Sequence, residues 1–335
     1  MKTKTILITG STGFLGQYVL EEFKLRDVKL ICPVRTIPSW SSVYSNVSWI
    51  LIGTLHDIPS LELPPLQGII HLAAVVEHTR LVRAKEIMYD VNVLGTFTIC
   101  NLAEKHHCRC VVASTSGVTR NVSQDEFLHE GYNDDEDIVL KERWPYYYTK
   151  ALCEKRIRGD IVWIRPSMLL GPGLHSKPRG GKFIEDWVNG KYKYFYLDGD
   201  IVYVDVRDVA PLFVKALEEN VSPGSYNVGG RCEKLIDFFH RLSDLTGIQS
   251  PKVKLPSFLV HTYCDIVQTF RTGVSFFPLK EFLDPVKIEM ASSPWYTCSK
   301  KARACLGYND LFSPEKTLED TLTYLQMTRL KNNDL

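Results

Sequence analysis

No stretch of about 18 uncharged apolar residues occurs in this 335-residue chain, so no membrane-spanning helix is expected. The nearest candidate, residues 258–277, carries His261, Asp265 and Arg271 and reads as an amphipathic helix with its connection. Met1 to Thr5 runs straight into an apolar strand and a glycine turn, a pattern unlike a secretory leader. An excess of one charge is missing too. Basic residues number 40 against 39 acidic ones, a formal net charge of +1, which predicts no footprint for nucleic acid or an anionic membrane. There is no Cys-x-x-Cys pair. Nine scattered cysteines, an odd count, suggest reduced thiols and a cytoplasmic location. The Asn-x-Ser triplets at Asn46, Asn121 and Asn220 are then chance matches. Internal repeats and low-complexity segments are also absent.

What the chain does contain is alternation. Apolar runs at Thr5–Thr9, Lys29–Val34, Val47–Ile52, Gly68–Leu72, Cys110–Ser114 and Ile161–Arg165 read as strands buried on both faces. Helical spacing of apolar residues separates them at 14–24, 80–105 and 146–158. This predicts an α/β fold, a doubly wound parallel sheet. The second half is less regular. Short strands are expected at 203–205 and 225–228, and helices at 207–219, 235–246, 279–289 and 314–326. The expected organisation is a dinucleotide-binding domain over 1–165, rejoined by about 201–229. A smaller, mostly helical substrate lobe takes 166–200 and 230–335. A polar loop from Gly117 to Arg143, with Asp134-Asp135-Glu136-Asp137 inside it, reads equally as a lid or as a solvated connection.

Residues 9–16 read Thr-Gly-Ser-Thr-Gly-Phe-Leu-Gly, between the first strand and the first helix. A pyrophosphate needs backbone N–H groups within close reach and a helix N-terminus pointing at it. Gly10 permits the tight turn, Gly13 clears the approach, and Gly16 lets the helix pack on the sheet. Ser11, Thr12, Phe14 and Leu15 complete the cradle. The second strand ends Cys32-Pro33-Val34-Arg35, without the carboxylate that would accept from an NAD ribose. Arg35 suits the 2′-phosphate of NADP instead. NADP(H) is therefore the favoured cofactor, with NAD(H) open.

Tyr146 and Lys150 lie four apart on a predicted helix and share a face. Reducing a carbonyl requires a proton donor beside the hydride acceptor. Bringing a tyrosine from about 10 to about 7 takes roughly 4 kcal/mol. One cation at ~4 Å in an effective dielectric of ~20 contributes about that much. Some 30 residues earlier stands Ser114-Thr115-Ser116, at the C-terminal end of a strand, where open α/β sheets bind ligands. Thr115 or Ser116 is expected to hydrogen-bond the substrate oxygen. His106-His107-Cys108-Arg109-Cys110 lacks a second ligand pair at metal-site spacing, so no metal is expected.

Taken together, these motifs resemble the extended short-chain dehydrogenases/reductases, the NAD-dependent epimerase/dehydratase superfamily. So do His71-Leu-Ala-Ala74, Asn92-Val-Leu-Gly-Thr96, Arg165-Pro-Ser-Met-Leu-Leu-Gly-Pro172 and the C-terminal Ser299-Lys-Lys-Ala302. The likeness spans about residues 5–327. It implies a Rossmann fold, Tyr146 as acid/base, and Lys150 lowering the tyrosine pKa while binding the nicotinamide ribose. It also implies that Ala73, Ala74 and Val75 line the cofactor groove, that Asn92 steadies the active-site helix, and that Ser114 lies at the cofactor. Pro166, Ser167 and Met168 would pass beside the nicotinamide. Gly53-Thr54-Leu55 stands where the family usually has Gly-Asp-Leu near the adenine, which keeps Leu55 in the set.

Two departures bear on the reaction. Dehydratases of this type carry Asp-Glu after the strand hydroxyl, where this chain has Ser116-Gly117. Epimerases usually have an asparagine where Met168 stands, and a methionine cannot donate to a diphosphate. The pattern is closer to dihydroflavonol reductases and 3β-hydroxysteroid dehydrogenases, which favour Thr115 as the acting hydroxyl. The expected activity is reduction of a ketone or aldehyde, or oxidation of the alcohol, on a small, largely apolar substrate. The rivals are an epimerase or isomerase with tightly held dinucleotide, and a non-catalytic dinucleotide sensor. Val76, Glu77, His78, Ser116, Trp144 and Phe183 are the expected substrate contacts. The expected partner is a small molecule, with a homodimer left open.

Overall fold

The computed structural model describes residues 4–119, 143–176, 180–218, 220–273 and 284–333. Most of the acidic loop, residues 120–142, lies outside these, as does the lid role proposed for it. Seven strands form the central sheet: β1 (Lys4–Thr9), β2 (Val28–Val34), β3 (Val47–Leu51), β4 (Gly68–His71), β5 (Cys110–Ala113), β6 (Ile161–Pro166) and β10 (Gly224–Val228). Their order is β10-β6-β5-β4-β1-β2-β3, all parallel. Side chains alternate across each strand. Ile6 and Ile8 face α1 (Phe14–Phe23) and α6 (Val206–Lys215), while Leu7 faces α3 (Gly95–Lys105) and α4 (Pro145–Arg156). Burial on both faces explains why these strands read as continuous apolar runs.

The winding reverses between β1 and β4, which opens a crevice at the carboxyl ends of the strands. The helix expected over 80–105 is interrupted. It starts as α2 (Val82–Met88), passes through a π-helical turn at Tyr89–Leu94 and continues as α3. The wider turn inserts a residue and shifts the helix phase.

The smaller lobe is built on a three-stranded sheet of β7 (Met168–Leu170), β9 (Asp200–Asp205) and β11 (Arg231–Lys234). Residues 200–205 are the middle strand of this sheet, within the stretch of about 201–229 over which the chain was expected to return to the larger domain. The return is made by α6 and β10. Helices α5 (Gly181–Val188), α7 (Leu235–Thr246) and α11 (Pro314–Asn333) close over a core of Ile184, Trp187, Phe238, Phe239, Leu318 and Leu322. A two-stranded ribbon pairs β8 (Phe195–Tyr196) with β12 (Val253–Lys254). The chain then forms α8 (Ser257–Gly273), α9 (Pro285–Ala291) and α10 (Lys300–Leu306). Of the helix expected over 279–289, only the part from Asp284 lies among the described residues; there the helix begins at Pro285 and extends to Ala291.

Candidate active site

One cleft of about 1520 Å³ runs from the glycine turn, across the carboxyl ends of the large sheet, into the smaller lobe. At one end, Gly10 adopts φ +72°, and a Cβ on it would meet the Ala73 backbone nitrogen at 2.5 Å. A Cβ on Gly16 would meet Gly10 O at 2.2 Å, so this glycine packs the helix on the turn itself and not on the sheet. Gly13 N–H donates to Gly10 O at 3.0 Å, and no side chain caps the start of α1. The first N–H groups of the helix therefore open on the cleft, as a pyrophosphate requires. The residues present fit a dinucleotide. Thr12, Phe14 and Leu15 line this end, with Arg35 and Leu55 further along. Arg35 is exposed and has no hydrogen bond or ion pair among the described residues. The Asp57 carboxylate accepts from the Gly53 and Thr54 N–H groups at 2.8 and 2.7 Å. Those two bonds hold its pKa below the usual carboxylate range and commit it to the backbone.

In mid-cleft, Tyr146, Lys150, Thr115 and Ser116 meet with Ala73, Ala74, Val75, Pro166, Ser167 and Met168. Tyr146 comes from the first turn of α4 and Lys150 from the second; the helix begins with Pro145 at its first position, where a missing N–H costs nothing. Lys150 is buried, and its Nζ donates to Ala113 O at 2.8 Å, at the end of β5. Burial lowers its pKa, against the opposing pull of Cys153 and Glu154. Thr115 Oγ1 accepts the Gly117 N–H at 3.3 Å and keeps its own proton for a ligand. Ser116 Oγ has no partner among the described residues. His78 stands edge-on to the Tyr146 ring at 5.7 Å, and Glu77 is exposed on the same wall. Burial raises the Tyr147 phenol far above its ordinary pKa, so this neighbour is a packing residue. Its ring lies over Gly117, where a Cβ would approach to 2.4 Å.

Three expected contacts are placed differently, and Asn92, expected to steady the active-site helix, does so from beneath the groove. Trp144 is not on the cleft wall; it is buried, stacked at 5.4 Å on Trp295, and it is Trp295 that lines the cleft. Ser11 is buried beneath the turn. Ser114 reaches the wall, but its hydroxyl donates to Glu154. Asn92 is fully buried; its Oδ1 accepts from Val75 N–H and its Nδ2 donates to Val75 O, both at 2.8 Å. It therefore shapes the groove through backbone and does not line it. Nδ2 also donates to Thr149 Oγ1 at 3.2 Å, and that hydroxyl donates to Tyr146 O at 2.7 Å.

His71 was not singled out in the sequence as a chemical residue, yet it is central to this frame. Its Nδ1 is 2.6 Å from Thr9 Oγ1 and its Nε2 is 3.0 Å from Thr96 Oγ1. Thr96 donates onward to Asn92 O at 2.6 Å, so His71 Nε2 carries the proton and Thr9 donates to Nδ1. Full burial and the Lys150 charge push the His71 pKa down to about 3. The only sequence signal was a histidine inside an apolar strand. The far end of the cleft is aromatic and aliphatic, with Phe183 4.9 Å from Tyr192 and 5.8 Å from Phe239. Among the described residues no group of three or more His, Cys, Asp or Glu could hold a metal.

An uncapped helix above a glycine turn, facing a tyrosine and a buried lysine across one crevice, defines an extended short-chain, NAD(P)-dependent type of protein. The model of the NAD dependent epimerase/dehydratase family matches residues 6–229, and the chain belongs to that family. It is 25% identical over 260 residues to sterol demethylase protein B of Methylococcus capsulatus, covering 75% of this chain and 77% of that one. It is 27% identical over 278 residues to UDP-N-acetyl-alpha-D-glucosaminuronate decarboxylase of Bacillus cytotoxicus, covering 76% and 84%. The crystal structure of gox2253 superposes with a TM-score of 0.78 at 23% identity, over 97% of this chain and 99% of that one, a likeness of fold.

Proposed function

We propose that this protein is an NADP(H)-preferring oxidoreductase that interconverts a ketone or aldehyde and its alcohol on a largely apolar small molecule. The observation that carries this reading is the meeting of Tyr146, Thr115 and the buried Lys150 in mid-cleft, between a dinucleotide groove and an aromatic chamber. When bound, the nicotinamide supplies or accepts the hydride. Tyr146 protonates the developing oxygen, and Thr115 holds that oxygen with its uncommitted proton. The bond from Lys150 to Ala113 O uses one of three N–H donors, leaving two for the tyrosine side of the cleft. Arg35, without an internal partner, suits a 2′-phosphate.

Elimination chemistry is disfavoured by more than a missing acidic pair. Any side chain at position 117 would strike the Tyr147 ring. The sterol in one relative's name agrees with an apolar chamber, whereas the nucleotide sugar in the other's favours a second reading, conversion without net redox change. The two differ in a direct assay. NADPH consumption is followed against steroid, flavonoid, aldehyde and thioester panels, with UDP-sugars alongside. An apolar carbonyl should be reduced, and Tyr146→Phe should lower kcat by about 10³-fold or more while dinucleotide still binds. Turnover retained by Tyr146→Phe, or UDP-sugar conversion on stoichiometrically retained dinucleotide, would overturn the proposal.

A further inference from the structure

Exposed apolar side chains gather around the mouth of the aromatic chamber. Six large apolar side chains are exposed on adjoining segments there: Tyr194 (64%), Phe195 (53%), Val253 (51%), Phe258 (67%), Leu259 (48%) and Ile266 (51%). Phe195 and Val253 are cross-strand partners in the β8–β12 ribbon, and α8 follows directly. Helix α8 is apolar on two sides. Val260, Cys264 and Val267 are buried, which packing explains, while Phe258 and Ile266 point outward on a second stripe. Single exposed apolar residues are ordinary, but a contiguous group marks an interaction surface.

Lysines frame this patch. Lys191, Lys193, Lys252 and Lys254 are exposed on the two segments that form the ribbon. The opposing carboxylates are Asp186, paired to Lys191 at 2.7 Å, Asp198, paired to Lys254 at 2.6 Å, and Asp265 on α8. Lys193 Nζ lies 5.4 Å from the Tyr194 ring centroid, and Lys252 has no ion pair among the described residues. Aromatic and aliphatic tips with flanking lysines match the composition that enters a headgroup layer and meets anionic lipid. Tyr194, Phe195 and Leu259 also line the cleft, so the patch is continuous with the chamber.

We propose that this face docks on an anionic phospholipid surface, and that an apolar substrate enters the chamber from the bilayer. The contact is peripheral, since no helix among the described residues is long and apolar enough to cross a membrane. The feeding role rests on the oxidoreductase reading, whereas the docking does not. The test is co-sedimentation of the full chain with vesicles of phosphatidylcholine, alone or with about 30 mol % phosphatidylserine. Binding should be tighter on the anionic vesicles and weaken with salt. The double variant F258S/V253S replaces no cleft-lining residue; it should bind at least about tenfold more weakly with an unchanged melting temperature. The variant K193E/K252E should lose the preference for anionic vesicles.

Failure of the unmodified chain to bind anionic vesicles, or unchanged binding by both variants, would overturn the docking. So would a dimer in sedimentation velocity that F258S/V253S splits, since a second copy would then occupy the patch. Vesicle binding needs no turnover, so its outcome stands apart from that of the activity assay.

Discussion

Arg35 and His71 each turn a local environment into a measurable property. Arg35 stands free at the end of β2, and a charge-assisted bond to a 2′-phosphate is worth about 1.5–3 kcal/mol. Arg35→Ser should raise the NADPH dissociation constant by roughly 10- to 100-fold and leave that for NADH nearly unchanged. Equal losses for both cofactors would remove the phosphate role. His71 is different because its environment forbids charge. Its pKa falls from 6.5 to about 3 on folding, so below pH 6.5 the unfolded chain takes up a proton that the folded chain refuses. Stability therefore drops as pH falls through that window and is insensitive to this group above it. The contribution at pH 5 is a loss of about 2 kcal/mol relative to pH 7.5. Urea unfolding at the two pH values should show it, and His71→Gln should flatten the difference. An equally steep loss in that variant would place the acid sensitivity elsewhere.

At the scale of elements, the parallel strands, the glycine turn and the α4 helix were legible because each has a local cause. Double-sided burial writes continuous apolar runs, and a tight phosphate turn writes glycines at fixed spacing. The π-helical turn at 89–94 was not legible, because its cause is tertiary. It sets Asn92 against Val75 and Thr149, contacts that no periodicity announces. The strands β7, β8, β11 and β12 were missed for a related reason. Three are two or three residues long, and β11 is four residues of which three are charged, too short to show a pattern. Trp144 was expected in the pocket because a tryptophan stands just before the helix. Its stacking partner, Trp295, lies 151 positions later and takes the place on the wall.

At the scale of the molecule, the two parts are tied by a buried ion pair. Arg80, after β4, reaches Glu289 on α9 at 2.5 Å, with both side chains 8% exposed. The same guanidinium donates through Nε to Arg143 O at 3.0 Å, just ahead of α4. Removing Glu289 leaves the Arg80 charge buried without a carboxylate, which costs about 3–5 kcal/mol. Glu289→Ala should therefore lower the unfolding free energy by that amount, measured by urea denaturation at pH 7.5. A change under about 1 kcal/mol would mean that the pair adds little to the lobe contact.

The polar thread beneath the groove has one more implication, which concerns traffic of protons. Every hydrogen along Thr9, His71, Thr96 and Asn92 points one way, and the histidine in the middle does not ionise until about pH 3. Such a chain cannot reverse its polarity at neutral pH, so it is an insulator and not a wire.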